Sequence, residues 1–367
     1  MKRVFSVSTP VIFGKNVFRS ILPQRVYKYS RPVLVTDKNL KSLINEFCAM
    51  IPDVYVYDKV IKEPNVRMVE EIQEILKSSD CVIALGGGSP LDAAKAARAC
   101  ENNSLNLKSD STPLIPLFAV PTTAGTGSEV TPFSVVSTDT KEKRLIKGDN
   151  LLPSLSFIDP TLTYKKSPRL TAVTGVDALC HALEAFTSKK RNATSDAFAV
   201  RAMMRIGEHL KTCVNNPTPE SRSEMMRASF EAGIAFSKSS VTLVHGMSRP
   251  LGRFGIGHGM ANAQLVGPIM EYSQDFELER YSIANNMLFP NADPSFSLSE
   301  NLKDLVHSDL LIPTLLQHLS MMNMVDEYKR MIPLMVSEAI DSGSPLNHPV
   351  VPSMQDIERI YNSLIMI

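Results

Sequence analysis

Four short apolar runs, RPVLVTD, DVYVYD, CVIALGGG and LIPLFAVP, alternate with helix-like stretches up to Pro160, and this alternation most limits what the chain can fold into. Strands this short and apolar, each followed by a helix, predict a parallel sheet buried on both faces. From Thr171 onward the texture changes to long helical pattern rich in Ala, Leu and Met, with no comparable strand series. The expected fold class is therefore an α/β N-terminal domain, a Rossmann-like parallel sheet, followed by an all-α domain. A chain of 367 residues also exceeds what one hydrophobic core usually serves. The segment Pro160 to Pro168 marks the boundary, giving a dinucleotide-binding domain over 1–165 and a helical metal-binding and catalytic domain over 166–367.

The third run leads into chemistry. In CVIALGGGSPLDAAKAARAC, a buried strand is followed by a glycine turn and an Ala-rich helix with Pro90 and Asp92 in its first turn. Glycines let the backbone approach a phosphate, and the free N–H groups at a helix start favour an anion. Gly87, Gly88, Ser89 and Asp92 are the candidate nucleotide-binding residues here. The wording is neither GxGxxG nor the Walker sequence, and a plain strand-to-helix turn would read the same way. A second strand runs from Ile115 to Val120 and opens into PTTAGTGS, whose Thr122, Thr123 and Thr126 can line a nucleotide groove or a surface loop. Asp37, ending RPVLVTD, can accept hydrogen bonds from an adenosine ribose and repel a 2′-phosphate, favouring NAD over NADP. The same residue can instead cap the helix that follows.

Two ligand pairs lie farther on, Asp177 with His181 in TGVDALCHALEAF and His245 with His258 in LVHGMSRPLGRFGIGHGMANA. Residues four apart in a helix emerge on one face, so Asp177 and His181 can reach a single ion. Three imidazoles and one carboxylate suit Fe²⁺ or Zn²⁺ better than Ca²⁺ or Mg²⁺, which prefer oxygen shells. The spacing also fits a helix-surface pair and a core histidine.

Together these stretches resemble the iron-containing (group III) alcohol dehydrogenase family, within the dehydroquinate synthase-like superfamily. GGGSPLDAAKA, VPTTAGTGSEVTPF, KEKRLIKGDNLLPSLSFIDP, TAVTGVDALCHALEAF, LVHGMSRPLG and HGMANA occur in that family's order, and the resemblance covers essentially the whole chain. It implies metal-assisted hydride transfer between NAD and a small alcohol or its aldehyde or ketone, with Asp177, His181, His245 and His258 as ligands. It also implies a homodimer or higher homo-oligomer. By the same resemblance Lys143 approaches the cofactor, and Phe133 and Phe236 line the substrate pocket. Arg249 stands four residues after His245, where many relatives carry a second histidine. A guanidinium cannot relay a proton at neutral pH, but it can hold an anion, so Arg249 joins the candidate substrate-pocket residues. The His245–His258 segment is one residue shorter than usual, with Gly257 where the family more often has Pro.

Lys plus Arg is 39 against 38 for Asp plus Glu, which gives no attraction to nucleic acid or an acidic membrane surface. No run approaches the roughly 20 apolar residues of a spanning helix, and the N-terminus lacks a signal-peptide core. Five scattered cysteines without a CxxC pair fit a reducing cytoplasm. Other readings are a metal-dependent lyase or cyclase, a glycerol-dehydrogenase-like enzyme, a metal-free reductase of the maleylacetate type, and a non-catalytic NAD-binding protein.

Overall fold

The computed structural model describes residues 9–61, 63–102, 104–138 and 143–366. The chain forms two compact units, Met1–Lys165 and Lys166–Ile367.

The first unit is built on six parallel strands. In chain order they are β1 (Val11–Phe13), β2 (Pro32–Val35), β3 (Tyr55–Tyr57), β4 (Cys81–Gly86), β5 (Leu117–Pro121) and, after a separate hairpin, β8 (Leu155–Ile158). The spatial order is β1-β8-β5-β4-β2-β3. A two-stranded antiparallel hairpin, β6 (Phe133–Ser137) with β7 (Lys143–Lys147), stands apart from the sheet. Alternate side chains of each strand enter opposite cores. Val33, Val35, Val82, Ala84, Leu117 and Ala119 face one core, which includes residues of helix α2 (Val66–Leu76) and helix α3 (Gly88–Ala99). Leu34, Cys81, Ile83, Leu85, Phe118 and Val120 face the other, which includes Ile44 and Phe47 of helix α1 (Lys41–Met50). Burial on both sides explains why these strands are uniformly apolar.

The strand order reverses between β2 and β4. Such a sheet binds ligands outside the carboxyl ends of its strands at that reversal. Asp37 follows β2 and the glycine turn follows β4, so the topology sets these two features beside the same switch point.

The second unit is helical. Helix α4 (Pro168–Thr187) packs with α5 (Ala193–Asn215) and α6 (Pro219–Lys238); α7 (Leu243–Ser248) and α8 (His258–Ser273) follow. Helix α4 starts with Ser167 capping the Leu170 N–H and Pro168 in the first turn, and it buries nearly all of its central face. Small residues allow close helix contacts. A Cβ on Gly259 would lie 2.2 Å from the Val173 carbonyl oxygen, so glycine there lets α8 press against α4. No helix among the described residues is long and apolar enough to cross a membrane.

Candidate metal and nucleotide sites

Helix α4 carries Asp177, His181 and Glu184 at positions i, i+4 and i+7, one buried stripe. His245 comes from the short helix α7 and His258 is the first residue of α8. Asp177, His245 and His258 present ligand atoms that all lie within 4.8 Å of one another. Asp177 Oδ1 is 3.6 Å from His245 Nε2 and 3.4 Å from His258 Nε2. Four ligands at about 2.1 Å from an ion stand about 3.4 Å from one another in a tetrahedron, so these separations match a divalent site. His181 lies outside that closest group. Its Nδ1 is 4.0 Å from Asp177 Oδ1, and its ring is stacked between Phe236, at 4.3 Å, and His245, at 4.4 Å between centroids. The shorter segment between His245 and His258 closes through the turn Arg249–Phe254 and Gly255, whose φ of +70° is left-handed, and it still delivers His258 to Asp177.

Three further groups hold the cluster, and none of them was singled out from the sequence. The fully buried Glu184 carboxylate meets Nδ1 of His245, and also accepts from the Thr242 hydroxyl at 2.7 Å and the Thr242 and Val244 amides at 3.0 and 2.7 Å. An ionised carboxylate accepts only, so Nδ1 carries a proton, and Nε2, whose own proton an ion would displace, is the nitrogen turned to the cluster. Asn262, one turn after His258, donates through Nδ2 to Asp177 Oδ1 at 2.7 Å, and that nitrogen lies 3.3 and 3.4 Å from Nε2 of His245 and His258. Thr242 in turn touches His348 Nδ1 at 3.1 Å. Signals for Glu184 and Asn262 were present: each falls on the helical face of a ligand, three residues after His181 and four after His258.

The electrostatics follow from this packing. Burial alone would raise the Asp177 carboxyl, but His181, His258 and His245 outweigh it and hold the group well below the usual carboxylate range. Burial alone would lower His245, yet Glu184 and Asp177 push it up to about 9. Glu184 stays below its ordinary value because His245 and Thr242 offset its desolvation. Burial brings His348 down to about 4.

In the first unit, the glycine turn is tight. A Cβ on Gly88 would lie 2.9 Å from Thr126 Cγ2, and one on Gly87 would lie 3.3 Å from Thr123 Oγ1, so the threonine loop lies directly against the turn. Thr122 is buried, its amide donating to the Gly86 carbonyl at 2.8 Å. Thr126 Oγ1 accepts from the Ser128 amide at 3.3 Å, and Ser89 lies half-buried in the first turn of α3. The Asp92 carboxylate is engaged within the unit, accepting from the Ser128 hydroxyl at 2.6 Å and the Val135 amide at 3.1 Å, where it pins the loop and hairpin to α3. The fully buried Lys95 completes that clamp, donating to the Ser128 carbonyl at 2.7 Å and hydroxyl at 2.9 Å. Asp37 accepts from the Asn39 amide at 2.8 Å and is half-exposed. Lys143 pairs with Glu63 at 2.8 Å. Phe133 is half-buried, with the Lys147 ammonium 5.5 Å from its ring centroid.

Comparison with known proteins agrees with both units. The family model described as iron-containing alcohol dehydrogenase matches residues 8–160, and that of the Fe-containing alcohol dehydrogenase C-terminal region matches 171–365. Lactaldehyde reductase of Escherichia coli (strain K12) is 31% identical over 91% of this chain and 92% of its own. A crystal structure of 1,3-propanediol oxidoreductase superposes with a TM-score of 0.89 at 29% identity, covering 99% of this chain and 100% of that one. A sulfoacetaldehyde reductase from Bifidobacterium kashiwanohense, solved in complex with NAD⁺, superposes with a TM-score of 0.85 at 27% identity, over 100% and 99% of the two chains. With family models matching nearly its whole length, the chain belongs to the iron-containing alcohol dehydrogenase family.

Proposed function

We propose that this chain is an NAD-linked, divalent-metal-dependent alcohol dehydrogenase that interconverts a short alcohol and its aldehyde or ketone. The observation that carries the reading is the convergence of Asp177, His245 and His258 within 4.8 Å, with His181 stacked beside them. The donor set fits Fe²⁺ first, given the family, with Zn²⁺ as the alternative. When bound, the ion supplies a Lewis acid for the substrate oxygen and the nicotinamide carries the hydride.

The chain's own residues do the rest. Asp177 brings one negative charge and the histidines bring neutral nitrogen donors, so the site stays cationic when loaded and favours a developing alkoxide. Glu184 fixes the His245 ring and tautomer, Asn262 fixes the Asp177 carboxylate, and Thr242 holds Glu184. Phe236, flat on His181, shields the cluster from water on that side. In the first unit, Gly87, Gly88 and Ser89 offer the helix start to a pyrophosphate, and Thr122, Thr123 and Thr126 form the adjoining wall. Asp37, at the end of a strand beside the switch point, takes the adenosine ribose, and Lys143 lies toward the cofactor. A relative solved with NAD⁺ supports that nucleotide, and lactaldehyde, 1,3-propanediol and sulfoacetaldehyde in the relatives' names point to short substrates. Phe133 of the first unit is assigned to the substrate side in this reading on the family resemblance.

The test is a screen of short alcohols and aldehydes with NAD(H), using protein reconstituted with Fe²⁺ or Zn²⁺. Metal-dependent turnover is expected. NAD binding without metal retention or turnover of any alcohol or aldehyde would instead indicate a non-catalytic nucleotide-binding protein.

A further inference from the structure

Near the cluster stands a cation that the reaction, as derived, does not use. Arg249 opens the 3₁₀ turn Arg249–Phe254, which continues directly from α7, so it follows His245 by one helical turn. Its guanidinium is half-buried, and no hydrogen bond or ion pair joins it to another described residue. Several other arginines of the same unit are engaged. Arg253 grips Glu338, Arg222 bonds the Thr171 hydroxyl at 2.7 Å, and Arg280 pairs with Asp196 at 2.6 Å.

Burial pulls the Arg249 pKa below its usual value, and the carboxylate whose charge acts on it is Glu184. Glu184 is already committed to His245, Thr242 and Val244. A guanidinium stays charged under these conditions, so the molecule holds a partly desolvated cation whose one acting carboxylate is already hydrogen-bonded elsewhere. Such a charge disfavours the empty state and favours any ligand that brings an anion to it. Aliphatic substrates offer nothing for it to bind.

We propose that Arg249 reads an anionic group on the substrate, and that the preferred substrates are short aldehydes or alcohols bearing a sulfonate, phosphonate or carboxylate. Helical positions four apart lie about 5–6 Å from each other at Cβ, so Arg249 rises from the chain beside His245 and a short substrate can span the two. The planar fork of the side chain suits paired oxygens of any of these oxyanions. The inference rests on the dehydrogenase reading of the same site.

Steady-state kinetics of the metal-reconstituted protein with NADH test it, using sulfoacetaldehyde and phosphonoacetaldehyde against propanal and butanal. The wild type is expected to favour the anionic pair in kcat/KM by at least about tenfold. Arg249→Met should lower that ratio by about ten- to a hundredfold, chiefly through KM, and Arg249→Lys should keep part of it. A wild-type ratio near one, or a ratio unchanged in Arg249→Met, overturns the assignment while leaving the dehydrogenase reading intact. Should neither class turn over, the dehydrogenase reading falls, and calorimetric titration of the metal- and NAD⁺-loaded protein with 2-hydroxyethanesulfonate against 1-propanol decides the anion site. Tighter binding of the sulfonate that weakens in Arg249→Lys or Arg249→Met supports it, and equal binding of the two ligands overturns it. The wild-type preference and the Lys variant keep the test decisive if the Met variant does not fold.

Discussion

Glu184 closes on Nδ1 of His245, on the opposite side of the ring from the Nε2 that faces Asp177 at 3.6 Å. One carboxylate thereby decides which histidine nitrogen is free to ligate. Glu184→Gln should keep the fold yet lower metal affinity about ten- to a hundredfold, because the amide can present its NH₂ group to Nδ1 and permit the wrong tautomer. Competition with a chelator of known affinity measures this, and an unchanged metal affinity would remove Glu184 from the site's support. Thr242→Val should give a smaller loss in the same direction.

Gly259 sets the approach of α8 to α4. Its missing Cβ would lie 2.2 Å from the Val173 carbonyl oxygen, a backbone atom that cannot step aside cheaply. Gly259→Ala should therefore cost on the order of 1–3 kcal/mol and shift the neighbouring His258, visible as a lower Tm together with weaker metal retention. A variant with wild-type Tm would mean the helices separate freely.

Asp37 should set cofactor choice. A carboxylate near the ribose repels a 2′-phosphate, so NAD(H) is expected to be preferred and Asp37→Gly to narrow the gap by improving use of NADP(H). Because Asp37 also caps the turn at Asn39, the substitution should cost up to about 1 kcal/mol of stability as well. A wild type that already prefers NADP(H) contradicts the assignment.

Glu129 gives a pH signature in the first unit. Burial pushes its carboxyl from 4.5 up to about 7 against the pull of nearby Lys95. The folded state then holds a proton that the unfolded state has lost, so this group's contribution to stability falls as pH rises between those two values. Lys95, brought down to about 8 by burial, changes stability only above that pH. Glu129→Gln should raise Tm relative to wild type by more at pH 8 than at pH 5, and equal shifts at both would contradict the buried carboxyl.

The sequence made the sheet legible wherever an apolar run alternated with a helical stretch. The four apolar runs are β2, β3, β4 and β5. Val11–Phe13 and Leu155–Ile158 add two strands at one side of the sheet; they are no shorter than β3 and β2, but they stand outside the strand–helix alternation that marks the other four. In the candidate site, residue type and helical spacing pointed to Asp177, His181, His245 and His258, because an imidazole or carboxylate at the right interval is visible locally; the structure gathers Asp177, His245 and His258, with His181 stacked on His245. Glu184 in ALEAF reads as an ordinary helix-surface charge, since its role depends on a histidine 61 residues away. His348 reaches Thr242 across 106 residues, a contact no local pattern encodes. Asp92 shows the converse: an acid in the first turn of a phosphate-type helix looks poised for a ligand, while the hairpin that follows claims it through the Val135 amide.

The most direct test of the central claim is the metal content of purified, Fe²⁺-reconstituted protein, wild type beside Asp177→Ala and His245→Ala, measured by plasma mass spectrometry with alcohol-dependent NADH formation on the same samples. About one ion per chain in the wild type, lost together with turnover in both variants, is the predicted result. Stoichiometric metal and undiminished turnover in both variants would contradict the site.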